Sequence, residues 1–337
     1  MGTCVKATFD GVHVRLGPEG KSLYEQSGYG RPEGDGLRLA PEEALYLLHR
    51  GRIEVPGHTF DSLLATLAAR SNCMRSFLVY RDIRERGYAV QTGPHDFRVF
   101  RRGQRPGRGP SQYSVSVVSE RDLVVFEKVV GEVSASQNIR KQHVIAAVDD
   151  ENELTYYEVK IKALEGGEGG EGRPDLAGEL VGRYAIVHTA GASLPGGWGM
   201  QLDPGRLVLS PLEILCLMRS GHLALAENGR PIDIEEFSKL ARESDVEFPE
   251  KLAVYEDLRG MGYVPRTGYK FGHHFRVYTG RKPHSEMLVQ ALPGSASLPM
   301  SSISRSVRLT HSVKKKMLFA CVHNGGILYV EFARIKL

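Results

Sequence analysis

No apolar run in the 337 residues approaches the roughly 20 needed to span a bilayer, and the amino terminus lacks the apolar core of a secretory signal. A cytoplasmic protein with no membrane partner is expected. Cysteine is scarce: Cys4, Cys73, Cys216 and Cys321 stand far apart, with no CxxC or CxxxC pair. That spacing suggests neither a zinc ribbon nor a disulfide framework and predicts free, buried thiols. Charge of one sign is lacking too, since 44 basic and 40 acidic residues leave a net +4. Net charge therefore does not argue for a nucleic-acid partner, although basic residues gather in RRGQRPGRG (101–109) and in KKK (314–316). A basic run alone is ordinarily a solvated face. A phosphate-binding loop is missing as well: GPEGKS (17–22) would need a glycine where Arg15 stands, and it reads as a turn. What is present, 41% hydrophobic and 25% charged residues over this length, suits a soluble protein of two domains.

The chain is written twice. After a short strand, VKATFDGVHVRL, and glycine-rich turns, LAPEEALYLLHRGRIEV (39–55) predicts a helix, with proline and glutamates in its first turn. Two further helices, FDSLLATLAAR and CMRSFLVYRDIRERG, precede a change to the period of strands in YAVQT, DFRVFRR, YSVSVV, HVIAAV and LTYYEVKI. GGEGGEGRPD (166–175) then reads as a flexible connector, after which the order restarts. GRLVLSPLEILCLMRSGHLAL echoes the first helix; YEDLRGMGYVPRTG follows YRDIRERGYAVQTG by 175 residues; FRVY follows FRVF by 178; SVKKKMLFACV follows NIRKQHVIAAV by 174. Small shifts in offset are the mark of insertions within a tandem duplication. The expected architecture is α/β (α+β), each repeat a helical head followed by a mixed-sheet tail.

Differences between the copies point to chemistry. Tyr278 corresponds to Phe100, which keeps the ring and loses the hydroxyl. His284 has no counterpart in GRGPSQYSV, and YKFG (269–272) is largely absent from the first copy. Only Lys141 survives opposite Lys315. A phenol, an imidazole and an ammonium could do acid–base chemistry, and no cluster of acids stands with them to hold a metal; no cofactor is expected. Singly, each has a plain reading as a packing tyrosine, an idle loop histidine or a solvated lysine; their joint presence in one copy gives them weight. His273 and His274 have no third ligand at metal-site spacing and read as structural or substrate-facing.

YEDLRGMGYVPRTGYKFGHHFRVY, then PHSE, then HSVKKK resembles the catalytic unit of tRNA-splicing endonucleases, and the whole chain resembles their archaeal homodimeric form. The resemblance implies a degenerate repeat over 1–165, a linker over 166–175 and a catalytic repeat over 176–337, divided into 176–245 and 246–337. It implies cleavage of precursor tRNA at bulge–helix–bulge junctions, giving a 2′,3′-cyclic phosphate and a 5′-hydroxyl. Tyr278 would be the base, His284 the acid and Lys315 the cation on the transition state. From intrinsic pKa alone His284 is the more natural base, since phenols titrate near about 10; nearby cations would have to favour the phenolate.

The same resemblance implies that Arg308 and Arg334 (or Lys336) hold a flipped base between two side chains. Two cuts per intron and one complete triad per chain require a second copy, and a two-fold homodimer is the simplest solution. Asp149, Asp150, Glu151 and Glu153 would then form an acidic loop that docks in a basic pocket on the partner, near YKFG. The terminal strand would add to the subunit contact, through β-augmentation or packing of Leu328, Val330 and Phe332. A metal-dependent nuclease and a non-catalytic tRNA-binding subunit are the competing readings.

Overall fold

Each repeat opens with a small sheet and a helix started by the same device. In the computed structural model, which describes residues 4–69, 73–93, 95–169, 172, 175–189, 194–280 and 282–337, the first repeat begins with β1 (Val5–Phe9), β2 (Val14–Leu16), β3 (Arg31–Glu33), β4 (Gly36–Leu39) and β5 (Ile53–Glu54). They form a sheet in the order β3-β4-β2-β1-β5, joined by α1 (Lys21–Ser27), α2 (Pro41–His49) and α3 (Phe60–Ala68). GPEGKS is thus more than a turn. Lys21 starts a seven-residue helix, closed by Gly28 at φ +70°, and Leu23 is its one buried residue. With a single apolar anchor there is no period to read.

Pro41 opens α2, and Glu43 folds back so that its carboxylate accepts the backbone N–H groups of Ala40 and Gly30, both at 2.9 Å. Ala40 has no side-chain oxygen, so only the returning half of a capping box exists here. In the second repeat Ser210, Pro211 and Glu213 repeat that half and add a bond: Glu213 accepts from the backbone N–H groups of Ser210 and Gly199, both at 2.9 Å, and from the Ser210 hydroxyl at 2.8 Å. Both glutamates are buried, at 2% and 5% exposure. Burial pushes the Glu43 carboxyl up to about 7.

The first tail contains α4 (Cys73–Glu85), β6 (Val90–Thr92), β7 (Phe97–Phe100), β8 (Ser111–Ser119), β9 (Leu123–Val125), α5 (Phe126–Asn138), β10 (Gln142–Val148) and β11 (Leu154–Lys162). Its strand order is β6-β7-β8-β10-β11. β8 and β10 run parallel, so the chain must cross over between them, and α5 is that crossover. β10 is buried from His143 to Val148, as expected of a strand with helices on it.

The second repeat repeats the plan. Its head is β12 (Leu176–Val181), β13 (Tyr184–His188), β14 (Met200–Asp203), β15 (Arg206–Leu209), α6 (Pro211–Arg219), β16 (Leu223–Glu227), β17 (Arg230–Ile232) and α7 (Ile234–Ser244), with the sheet ordered β14-β15-β13-β12-β16-β17. Its tail is α8 (Phe248–Gly260), β18 (Val264–Thr267), β19 (Phe275–Tyr278), β20 (Met287–Pro293), β21 (Ser297–Pro299), α9 (Met300–Ser312), β22 (Lys316–His323) and β23 (Gly326–Ile335), ordered β18-β19-β20-β22-β23. β20 and β22 are the parallel pair and α9 the crossover. The α/β class and the mixed sheets are those the pattern predicts. No described helix is long and apolar enough to cross a membrane.

The chain divides into two compact units that are not identical with the repeats. One runs to Lys160 and takes in Ser297–Arg305 and Phe332–Leu337; the other is Ile161–Ala296 with Ser306–Glu331. Within the first, β21 pairs antiparallel with β9, Leu298 opposite Val124, and the Phe332 ring lies 6.2 Å from Phe126. This corrects the expectation for the terminal strand: Val330 and Phe332 are buried inside their own chain and are not free to pack on another.

Candidate active site

The site grows out of the register of three adjacent strands. In β19, Phe275 and Val277 point into the core, so Arg276 and Tyr278 share the outer face. Val277 pairs with Met287 at the start of β20, and Met287 pairs with Lys316 at the start of β22. Tyr278, the end of the loop carrying His284, and Lys315 are therefore within a few residues of one row across neighbouring strands about 5 Å apart. The structure brings the three predicted residues to one end of the second tail's strands.

Lys315 is placed by its backbone. At the end of α9 the Lys315 N–H donates to the Thr310 carbonyl (2.8 Å) and the Lys314 N–H to His311 (3.2 Å), with Lys314 at φ +54°. These are the two bonds of a Schellman ending with a lysine in the left-handed position usually held by glycine. The half-buried Lys315 ammonium donates to the Ser285 carbonyl at 2.5 Å and lies 5.9 Å from the centre of the Phe271 ring. Phe271 belongs to YKFG, folded as a short 3-10 turn ended by Gly272 at φ +66°. The segment missing from the first copy thus supplies a ring beside the lysine.

His284 is exposed, and the residues after it are fixed. Ser285 is buried, the Glu286 N–H donates to the Val277 carbonyl (3.0 Å), and the Lys316 N–H donates to the Glu286 carbonyl (3.0 Å). The Glu286 carboxylate is paired with Lys282, which holds it below the usual carboxylate range. Around His284 is a cavity of about 620 Å³ whose cations are Lys162, Lys282, Lys314 and Lys316. Tyr278 lines another, of about 1,030 Å³, together with Lys251, Arg266, Tyr269, Arg276 and Lys282.

Sequence reasoning missed Arg276, whose guanidinium is 5.7 Å from the centre of the Tyr278 ring. The alternation of FRVY, which puts positions two apart on one face, was the available signal. His273 is buried and His274 half-buried, and both line the 1,030 Å³ cleft. The His274 Nδ1 accepts the Ala291 N–H (3.2 Å), its Nε2 is 2.9 Å from the Gln290 amide, and His273 Nδ1 is 3.4 Å from the same amide. Burial lowers both imidazoles, His274 to about 4, where it is neutral at pH 7. Among the described residues no three His, Cys, Asp or Glu side chains gather as a metal site.

Arg308, on α9, and Arg334 and Lys336, near the end of the chain, are each exposed. The acidic loop between β10 and β11 is less uniform than its composition. Asp149 Oδ1 accepts the N–H groups of Glu151 (3.0 Å) and Glu153 (2.8 Å), so it builds the turn, and Asp150 is paired with Arg121. Glu151 and Glu153 are exposed.

The profile of the tRNA intron endonuclease catalytic C-terminal domain matches twice, at residues 73–156 and 248–329, and that of the N-terminal domain at 5–64. The chain is 37% identical to a tRNA-splicing endonuclease of Methanococcoides burtonii, over 94% of this chain and 95% of that one. It is 36% identical to one of Methanosarcina acetivorans (99% and 100%) and 38% identical to one of Natronomonas pharaonis (97% and 98%). Two tails on one pattern, each matched by the catalytic-domain profile, and full-length similarity above 35% lead to one conclusion: the chain belongs to the tRNA intron endonuclease family.

Proposed function

We propose that the second repeat excises introns from precursor tRNA, cutting bulge–helix–bulge RNA without a metal by transesterification. The ribose 2′-oxygen forms a bond to the adjacent phosphorus as the bond from phosphorus to the 5′-oxygen breaks. The 2′-OH proton passes to the Tyr278 oxygen, which enters as phenolate and leaves as phenol, and His284, entering protonated, gives its proton to the departing 5′-oxygen and leaves neutral. The ends are a 2′,3′-cyclic phosphate and a 5′-hydroxyl, as for an RNA lyase. The supporting observation is the tether from the Lys315 ammonium to the Ser285 carbonyl, one residue past His284. An ammonium has three N–H donors, so two remain for the non-bridging phosphate oxygens while the third keeps the His284 loop in place.

A homodimer completes the reading, with each chain making one of the two cuts. Glu151 and Glu153, and Asp150 on exchanging Arg121, would dock in the partner's 1,030 Å³ cleft. Part of that cleft is already neutralised: Lys251 pairs with Asp245 (3.0 Å) and Glu247 (3.1 Å), and Arg266 faces Glu213 (3.6 Å). Arg276, like Arg183, faces the cleft with no carboxylate partner among the described residues. Arg308 with Arg334 would grip a flipped base.

The test is cleavage of a bulge–helix–bulge RNA in EDTA, with the product ends identified by mass. A cyclic-phosphate exon released at the rate seen in Mg²⁺ supports the mechanism, and a requirement for added metal overturns it.

A further inference from the structure

The glycine-rich connector, flexible by composition, is docked over its first half. Four backbone N–H groups hold it to the second unit. Gly166 donates to the Tyr263 hydroxyl (3.1 Å), Gly167 to the Met261 carbonyl (2.9 Å), Glu168 to the Thr279 carbonyl (2.7 Å) and Gly169 to the Gly262 carbonyl (3.2 Å). Leu164 packs on the apolar core of the same unit. A Cβ on Gly167 would be 2.5 Å from the Gly262 carbonyl oxygen, and one on Gly169 would be 2.8 Å from the Gly280 Cα. Neither Gly167 nor Gly169 has a positive φ, so space and not backbone conformation demands glycine there. The 178-residue offset of FRVY from FRVF puts Arg102 where Gly280 stands, so the first repeat lacks the partner for this contact.

The position of the dock matters. Thr279 and Gly280 follow Tyr278 directly and begin the loop that carries His284, while Lys162–Gly166 wall the cavity on which His284 opens. We propose that Ile161–Gly169 is a strap that positions the His284 loop, clamping its near end while Lys315 clamps its far end at Ser285. The strap acts on proton delivery to the leaving oxygen and not on the grip of RNA. This inference rests on the role of His284 as the acid given above.

The test uses full-length protein with Gly169→Val, Gly167→Val and the milder Gly169→Ala, and single-turnover cleavage of two RNAs. One is the ordinary substrate; the other carries sulfur in place of the 5′-bridging oxygen at the scissile phosphate. A thiolate leaves without a proton, so loss of acid catalysis is silent on that RNA. Gly169→Val is expected to slow cleavage of the oxygen substrate about 10-fold or more at saturating RNA. Half-saturation should stay within about two-fold, Gly169→Ala should fall between, and the sulfur substrate should be cut at nearly the wild-type rate. Equal slowing on both substrates by a variant that folds, or none on either, overturns the strap. A variant that fails to fold slows both equally, and Gly169→Ala then decides by the same ratio. If His284→Ala is itself not rescued by sulfur, the acid role of His284 is what fails, and the strap falls with it.

Discussion

The two tails of this chain have the same scaffold and differ in what can react. Both α4 and α8 end on a glycine in the left-handed region, Gly87 and Gly262. Tyr156 donates to Asp82 and Tyr329 to Asp257, both at 2.7 Å. Arg84 lies 3.8 Å from the centre of the Tyr29 ring and Arg259 lies 4.0 Å from Trp198. Even the turn before Lys315 persists: Lys141 donates to Ser136 (2.9 Å) and Arg140 to Gln137 (2.9 Å), with Arg140 at φ +55°. Residues that build the frame survive in both copies. Those proposed to touch a substrate survive in one. Lys141, the apparent exception, keeps its place in the frame, and burial with Arg98 nearby lowers its ammonium from the ordinary lysine value. A retained lysine backbone position is therefore no evidence of retained chemistry.

That contrast is broken most forcefully by exchanging alanine for the paired lysines. Lys315→Ala is expected to slow single-turnover cleavage by about 10²- to 10³-fold, and Lys141→Ala to leave the rate within about two-fold. A large loss from Lys141→Ala would mean that the first repeat acts in the reaction. A smaller effect sharpens the comparison of the caps. Glu43 has its folded pKa raised from 4.5 to about 7, chiefly by burial, with Arg84 opposing and Glu42 reinforcing the rise. A raised folded value means that the stabilisation is whole below pH 4.5 and is lost as pH rises through 7. The first unit should lose about 3 kcal/mol across that interval. Glu43→Gln should flatten the dependence in urea unfolding at pH 5 and 8, and an unchanged slope would assign it to another group. Smallest is the left-handed turn. Arg140→Gly and Lys314→Gly should each raise stability by about 0.5 kcal/mol, because glycine takes that φ without strain. Equal gains confirm that both turns carry the same cost, and a gain at one alone would separate them.

Much of this was legible in the sequence because duplication supplies its own control. Tyr278 against Phe100, and His284 against nothing, single out the candidate site without any structure. Strand alternation in FRVY and the proline–glutamate start of α2 and α6 were readable for the same reason: each rests on local spacing. The crossover helices were less visible. In α5, Val129, Val130 and Val133 are β-branched and lower the helix signal, while the burial of Phe126, Val129, Val133 and Ser136 at helical spacing emerges only once β8 and β10 are parallel. The docked connector was misread for a physical reason. Glycine signals freedom in a lone chain, but two glycine backbones pressed together lose that freedom, and nothing in composition tells the cases apart.

The interleaving of the compact units bears on how the protein is made. Leu337 is in the apolar core of the first unit, and its carbonyl accepts from Arg86 at 3.3 Å. Phe126 likewise meets Phe332. A ribosome finishes β1 through β11 long before it reaches those residues, so the first unit waits with part of its core open while the second is synthesised. The half without counterparts of Tyr278 and His284 is thus the last to be completed, and a chain cut short after Glu331 would lose part of that core while retaining Tyr278, His284 and Lys315.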